Sequence, residues 1–147
     1  MHECGHNVEQ NLSLYGIDYY FLKGVPNSAF TEAFAILFNN RYVDILGLDH
    51  KDLHEKYLAP LHTFWYALEH AGVALTEMKV WRWMYAHPEV MPNQLKEAFI
   101  TIAKDVWNQY YAPIFEIKDS PILAYYPHII FNPLYFYNYP LGNIILF

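Results

Sequence analysis

The sequence predicts an all-α fold, and three observations carry that reading. Apolar residues recur every three or four positions almost throughout, no sustained run alternates in the manner of a strand, and glycine and proline cut the chain into pieces of helical length. A first helix is expected from the N-terminus to about Leu14, stopped by Gly16. The turn signal Gly24-Val25-Pro26-Asn27 precedes a second helix, capped by Asn27 or Ser28 and running through Ala29, Phe34, Leu37 and Tyr42 to about Gly47. Asp49 is placed to cap a third, with Leu53, Tyr57, Leu61, Phe64 and Leu68 along it, a bend at Pro60 and an end at Gly72. A fourth spans about Leu75 to His87. After a loop from Pro88, Asn93 opens an amphipathic helix that sets Leu95, Phe99, Ile102, Val106 and Tyr110 on one face and ends at Pro113. Ile114 to Tyr126 reads as irregular or partly helical, and a last helix is expected to begin at Pro133, whose fixed φ and missing N–H suit a first helical position.

At 147 residues, 54% hydrophobic and 16% charged, the chain is long enough for one domain and too apolar to stay disordered. Residues 1–147 show no internal repeat or linker and read as one helical domain. The charge of -6 at pH 7 has only 9 scattered Lys and Arg behind it, so no surface tracks phosphates and nucleic acid is excluded as a partner. Cys4 stands alone, which excludes an internal disulfide and a Cys-rich zinc knuckle but does not choose between compartments. No window approaches the roughly 18–20 apolar residues that cross a bilayer, so no membrane span is expected; a soluble protein, cytoplasmic or periplasmic/secreted, is the reading. Aromatics reach 19%, including 14 Tyr, more than one small core needs. They are expected to line a groove or to meet surfaces beyond this chain.

The segment His2-Glu3-Cys4-Gly5-His6 carries chemistry. Residues four apart share a helix face, so His2 and His6 can aim ring nitrogens at one ion. Glu3 lies about 100° further round the helix, beside that ion, where a base that takes a proton from water has to stand. A catalytic zinc needs a third protein ligand and an open fourth position, and Glu32, in the first turns of the second helix, supplies the right atom type. The turn signals between them let the chain return. Zn2+ is therefore the expected cofactor. His50 and His54 have the same spacing but lack an inner glutamate and sit among charges, so they read as a solvated face.

That segment, with glycine before its second histidine, and Gly24-Val25-Pro26-Asn27-Ser28-Ala29-Phe30-Thr31-Glu32-Ala33 together resemble the gluzincin zinc metallopeptidases of the helical oligopeptidase fold. Thimet oligopeptidase, oligoendopeptidase F and angiotensin-converting enzyme are the types in view. The residues around Glu32 look most like the converting-enzyme branch, and Glu9-Gln10 is similar to carboxypeptidase Taq. Pro127-His128 followed by Tyr135, Tyr137 and Tyr139 looks like the His and Tyr cluster that these families place opposite the zinc. The likeness covers the two ends of the chain, while 48 to 112 shares only helical character.

The resemblance implies a zincin-like catalytic lobe that hydrolyses a peptide substrate by metal-activated water. His2, His6 and Glu32 would hold Zn2+ and Glu3 would activate water. His128 would hydrogen-bond the substrate backbone, and Tyr135 or Tyr139 would donate its phenol to the oxyanion. Positions 128, 135 and 139 share a face if one helical phase runs through them, with Pro133 standing between. Core packing accounts for any one of the tyrosines equally well. Ile36 stands where the converting-enzyme branch has an acidic partner four residues after its glutamate, which leaves Glu9, Asn39 and Asp44 to orient a ligand histidine. A zinc ligand at residue 2 and the apolar end Ile144-Ile145-Leu146-Phe147 predict a piece of a longer peptidase, with the remainder of that parent as partner and apolar surfaces that allow homo-oligomers. The alternative is a catalytically inactive helical scaffold or binding module with a vestigial or incomplete metal site.

Overall fold

A computed structural model describes residues 1–24, 27–48 and 53–146, and all regular structure among them is helical, as the apolar periodicity predicts. The elements are α1 (His2–Tyr15), α2 (Ser28–Asn40), α3 (Tyr42–Ile45), α4 (Leu53–Ala86), α5 (Pro92–Tyr110), α6 (Ala112–Phe115), α7 (His128–Phe131) and α8 (Asn138–Leu146), with 3₁₀ turns at Tyr20–Leu22 and Ile122–Ala124. No helix among the described residues is long and apolar enough to cross a membrane. The expected cap Asp49 and the histidine His50 lie outside the described residues, as does the side chain of His54.

Contacts divide the chain into two units, Met1–Ala67 with Asn138–Phe147, and Leu68–Tyr137. In the first unit α2 packs against both α1 and α8. Its buried side is made of small residues, Ala29, Ala33 and Ala35, with Ile36, and this lets neighbouring backbones come close. Of the two caps the sequence offers, Asn27 is the one used: its Oδ1 accepts from the Ala29 N–H at 2.8 Å, satisfying a donor that the first turn leaves open. α1 closes where Gly16 was expected to stop it, the Gly16 N–H reaching Leu12 O at 2.8 Å.

In the second unit the C-terminal part of α4 and the amphipathic α5 contribute Val73, Ala74, Val80, Ala103 and Val106 to a core that Leu123, Ile129 and Phe136 complete. Trp107 stacks on Tyr111 and Phe115 and donates its indole N–H to Ile117 O at 2.8 Å. Asn108 and Asp119 exchange two hydrogen bonds of 2.8 Å. These ties hold an otherwise irregular stretch in which Glu116 and Asp119 both have φ of 58°.

Three expectations about helix boundaries need correction. The second helix does not run through Tyr42 to about Gly47, because α2 ends at Asn40 and the separate α3 follows. The chain does not close a helix at Gly72 and open another at Leu75, because α4 runs through both positions, and through Pro60, for 34 residues. Gly72 is a packing device: a Cβ there would lie 2.6 Å from Cζ and 2.7 Å from Cε2 of Tyr111, whose hydroxyl donates to Leu68 O. One interior glycine costs a helix only about 1 kcal/mol, less than burying that ring contributes. Nor does the last helix begin at Pro133. α7 ends at Phe131, Leu134 takes a left-handed φ of 56°, and α8 begins at Asn138. No single helical face carries positions 128, 135 and 139.

Overpacking at this contact gives a test. Gly72→Ala should destabilise the protein by about 1–3 kcal/mol in urea unfolding. Because the clash is with one ring, Tyr111→Ala should absorb most of that loss in a double-mutant cycle. Additive effects would show that the glycine is there for another reason.

Candidate metal centre

α1 and α2 approach to backbone contact at one point. A Cβ built on Gly5 would lie 2.7 Å from Ala35 Cα and 3.1 Å from Phe38 Cβ, so position 5 admits no side chain without pushing the helices apart. Gly5 is flanked on α1 by His2 and His6, and Ala35 lies one turn after Glu32 on α2. The crossing therefore brings two imidazoles and one carboxylate to the same edge. α8 presses from another side: a Cβ on Gly142 would lie 2.9 Å from Ala33 N, 3.0 Å from Ala29 O and 3.1 Å from Glu32 Cβ. Glu32 lies at this second contact and is only 2% exposed.

The resulting triangle is tight. His2 Nε2 lies 3.2 Å from Glu32 Oε2, His6 Nε2 lies 3.7 Å from the same oxygen, and the two Nε2 atoms are 3.2 Å apart. Ligand atoms ~2.0–2.1 Å from a tetrahedral zinc are separated by ~3.3 Å, so two of the three edges match one face of such a shell and the third is ~0.4 Å longer. The donor chemistry agrees with the spacing. Three lone-pair atoms repel one another unless a proton or a cation sits among them, and a buried carboxylate requires a partner of that kind. Among the described residues this is the one group of three His, Cys, Asp or Glu side chains able to hold a metal ion.

Other side chains on α1 and α8 lie close by in the sequence or within electrostatic reach. Glu3 and Cys4 are exposed on α1. Tyr139, in the first turn of α8, has its phenol pushed up to about 12 by burial, reinforced by the carboxylate of Glu32, by Tyr66 and by the carboxylate of Glu3. A phenol is protonated at neutral pH in any case, and this shift extends that range further into alkaline conditions.

No family model, curated protein or solved structure matches the chain. The resemblance to gluzincin peptidases of the thimet oligopeptidase, oligoendopeptidase F and converting-enzyme types is therefore corrected. What the structure holds is a discontinuous group, His2, His6 and Glu32, drawn from two helices. Glu3, on which the contiguous pattern depends, lies outside that group, and the all-helical architecture by itself does not single out those families.

His128 and Tyr135 belong to the second unit, near Glu77. Of the residues expected to orient a ligand histidine, Asp44 is engaged by Arg41 Nη1 at 3.3 Å and Asn39 is exposed. Glu77 was not selected from the sequence. It is fully buried and accepts from the Phe136 N–H at 3.0 Å. A signal was there to read: Glu77 interrupts the apolar stripe of Val73 and Val80 at core spacing, where a charged residue asks for an explanation.

If the backbone contact sets the ligand geometry, Gly5→Ala should weaken Zn2+ binding about 10–100-fold in a competitive titration although every ligand remains, as loss of an outer-shell support does. Stability of the metal-free protein should fall by about 1–3 kcal/mol. Unchanged zinc affinity in the folded variant would separate the crossing from the metal site.

Proposed function

We propose that this chain is a helical metal-binding module whose His2, His6 and Glu32 hold a single divalent cation. Zn2+ is the choice that two imidazoles and one carboxylate at tetrahedral spacing suit best. The observation that carries this reading is the triangle of ring nitrogens and carboxylate oxygen at 3.2, 3.2 and 3.7 Å. A module of this kind draws on nothing outside the first unit, because α1, α2 and α8 build the whole centre. Metal binding would also tie α1 to α2, so the ion stabilises the fold in proportion to its affinity.

A second reading, hydrolysis of a peptide bond, is favoured by one further observation: the Tyr139 phenol senses both Glu32 and Glu3. A zinc ion held by His2, His6 and Glu32 would supply Lewis acidity and a water acidified to a pKa of roughly 7. In this reading the Glu3 carboxylate takes the proton from the attacking water and delivers it to the leaving amine. The Tyr139 O–H donates to the oxygen on which charge develops.

The readings separate cleanly. Equilibrium dialysis should find one Zn2+ per chain, with affinity reduced more than ~100-fold in His2→Ala, His6→Ala and Glu32→Ala, beyond the loss typical of an outer-shell partner. No stoichiometric zinc would overturn both readings. If zinc binds and quenched peptides are cleaved, Glu3→Gln should abolish cleavage while keeping the metal. Zinc binding without cleavage leaves the module.

A further inference from the structure

The second unit contains a buried acid that the metal centre does not use. Glu77 lies on α4 with 0% exposure, among Val73, Thr76 and Val80, and its Oε2 accepts from the Phe136 N–H at 3.0 Å. Its Oε1 finds no hydrogen-bond partner among the described residues. The segment it grips is strained, because Leu134 has a φ of 56°, a conformation that a γ-branched side chain adopts only when its surroundings impose it. Phe136 is 1% exposed and is clasped by the His70 ring, stacked at 5.3 Å, with Tyr126 and His128 edge-on at 5.1 and 5.7 Å. The grip on Phe136 and the strain at Leu134 are thus two sides of one turn, which carries Tyr135 and leads into α8.

We propose that Glu77 is a proton-sensitive clamp on the turn Leu134–Phe136, closed while its carboxyl is neutral and loosened when the carboxyl ionises. The neutral acid keeps Oε2 as acceptor for the Phe136 amide and carries its proton on Oε1. The ionised acid places a full charge in an apolar core, where it is stable only if the turn opens to water. Of the titratable groups near the turn, Tyr126 is engaged with Glu69. His70 lies two turns back on the same helix, and His128 faces Glu77 from α7 and favours its ionised form. No lysine or arginine pairs with Glu77 among the described residues. Burial outweighs the Phe136, Tyr135 and Leu134 amides and His128, and raises the Glu77 carboxyl above the usual carboxylate range.

The sign follows from that direction. A carboxyl whose folded pKa is raised stabilises the closed turn fully below its ordinary pKa, and the stabilisation is lost as pH rises through the folded value. Within that window the opening equilibrium should rise up to tenfold per pH unit and then level off. Hydrogen exchange of the Phe136 amide in the whole chain, corrected for intrinsic rates, reads this directly. In Glu77→Gln, which keeps an acceptor and removes the charge, protection should not vary with pH. Protection of Val106 on α5 should not follow the Phe136 curve. An equal pH slope in Glu77→Gln, or a Val106 amide that moves with Phe136, would overturn the clamp. Should that variant fail to fold, carboxyl carbon NMR of the wild type decides. Glu77 titrating above the exposed Glu89 and Glu97 supports the proposal, and Glu77 titrating together with them ends it.

Discussion

The candidate metal centre depends on one steric fact, the backbone contact of α1 with α2 at Gly5 and Ala35. Helices with ordinary side chains between them pack ~8–10 Å apart. At that separation a glutamate and two histidines meet only if their side chains happen to reach. Removing the side chain at position 5 lets the helices close until Gly5 stands 2.7 Å, measured from an added Cβ, from Ala35 Cα, and the reach is then set by backbone. A metal tolerates ligand distances only within about 0.2 Å. A rigid crossing delivers such tolerance; flexible side chains on separated helices do not. The small residues along α2 serve this end, since Ala29 and Ala33 admit α8 in the same way that Ala35 admits α1.

The two units each bury a glutamate, and the contrast shows what the surroundings decide. Glu32 is 2% exposed and has two imidazole nitrogens within 3.7 Å of one oxygen. Glu77 is 0% exposed and meets the backbone amides of the turn Leu134–Phe136, with a histidine acting on it from α7. Around Glu32 the chain gathers further lone pairs, an arrangement that only a cation or a proton reconciles. Around Glu77 it offers donors too few to balance desolvation, so the proton itself is the simplest resolution. The same residue type thus reads as a ligand in one unit and as an acid in the other.

Much of this was legible in the sequence because it rests on local rules. The spacing of His2 and His6, the Asn27 cap and the amphipathic α5 each depend on residues within a turn or two, and the structure shows all three. Glu32 was reached by chemistry, as the acid at the start of the next helix. What escaped depends on partners far along the chain. Gly72 reads as a helix stop until Tyr111 lies over it, 39 positions later, and Pro133 reads as a helix start until Leu134 turns left-handed. The family resemblance failed for a related reason. A short motif specifies which atoms lie on one face, but not the whole architecture around them.

Tyr139 shows how a reset of register, once known, places a side chain. Had one helix run from Pro133, Tyr135 and Tyr139 would have faced the same way, and nothing would have distinguished them. The chain instead leaves α7 at Asn132, passes through Leu134 in the left-handed region, and starts α8 at Asn138. Tyr139 is then three residues before Gly142, on the same side of α8, and an added Cβ at Gly142 would be 3.1 Å from Glu32 Cβ. The contact that buries Glu32 is therefore also the contact that brings the phenol to it. Burial together with the nearby carboxylates raises the phenol to about 12. The place of Tyr139 and the burial of Glu32 both follow from a glycine that lets α8 lie directly on α2.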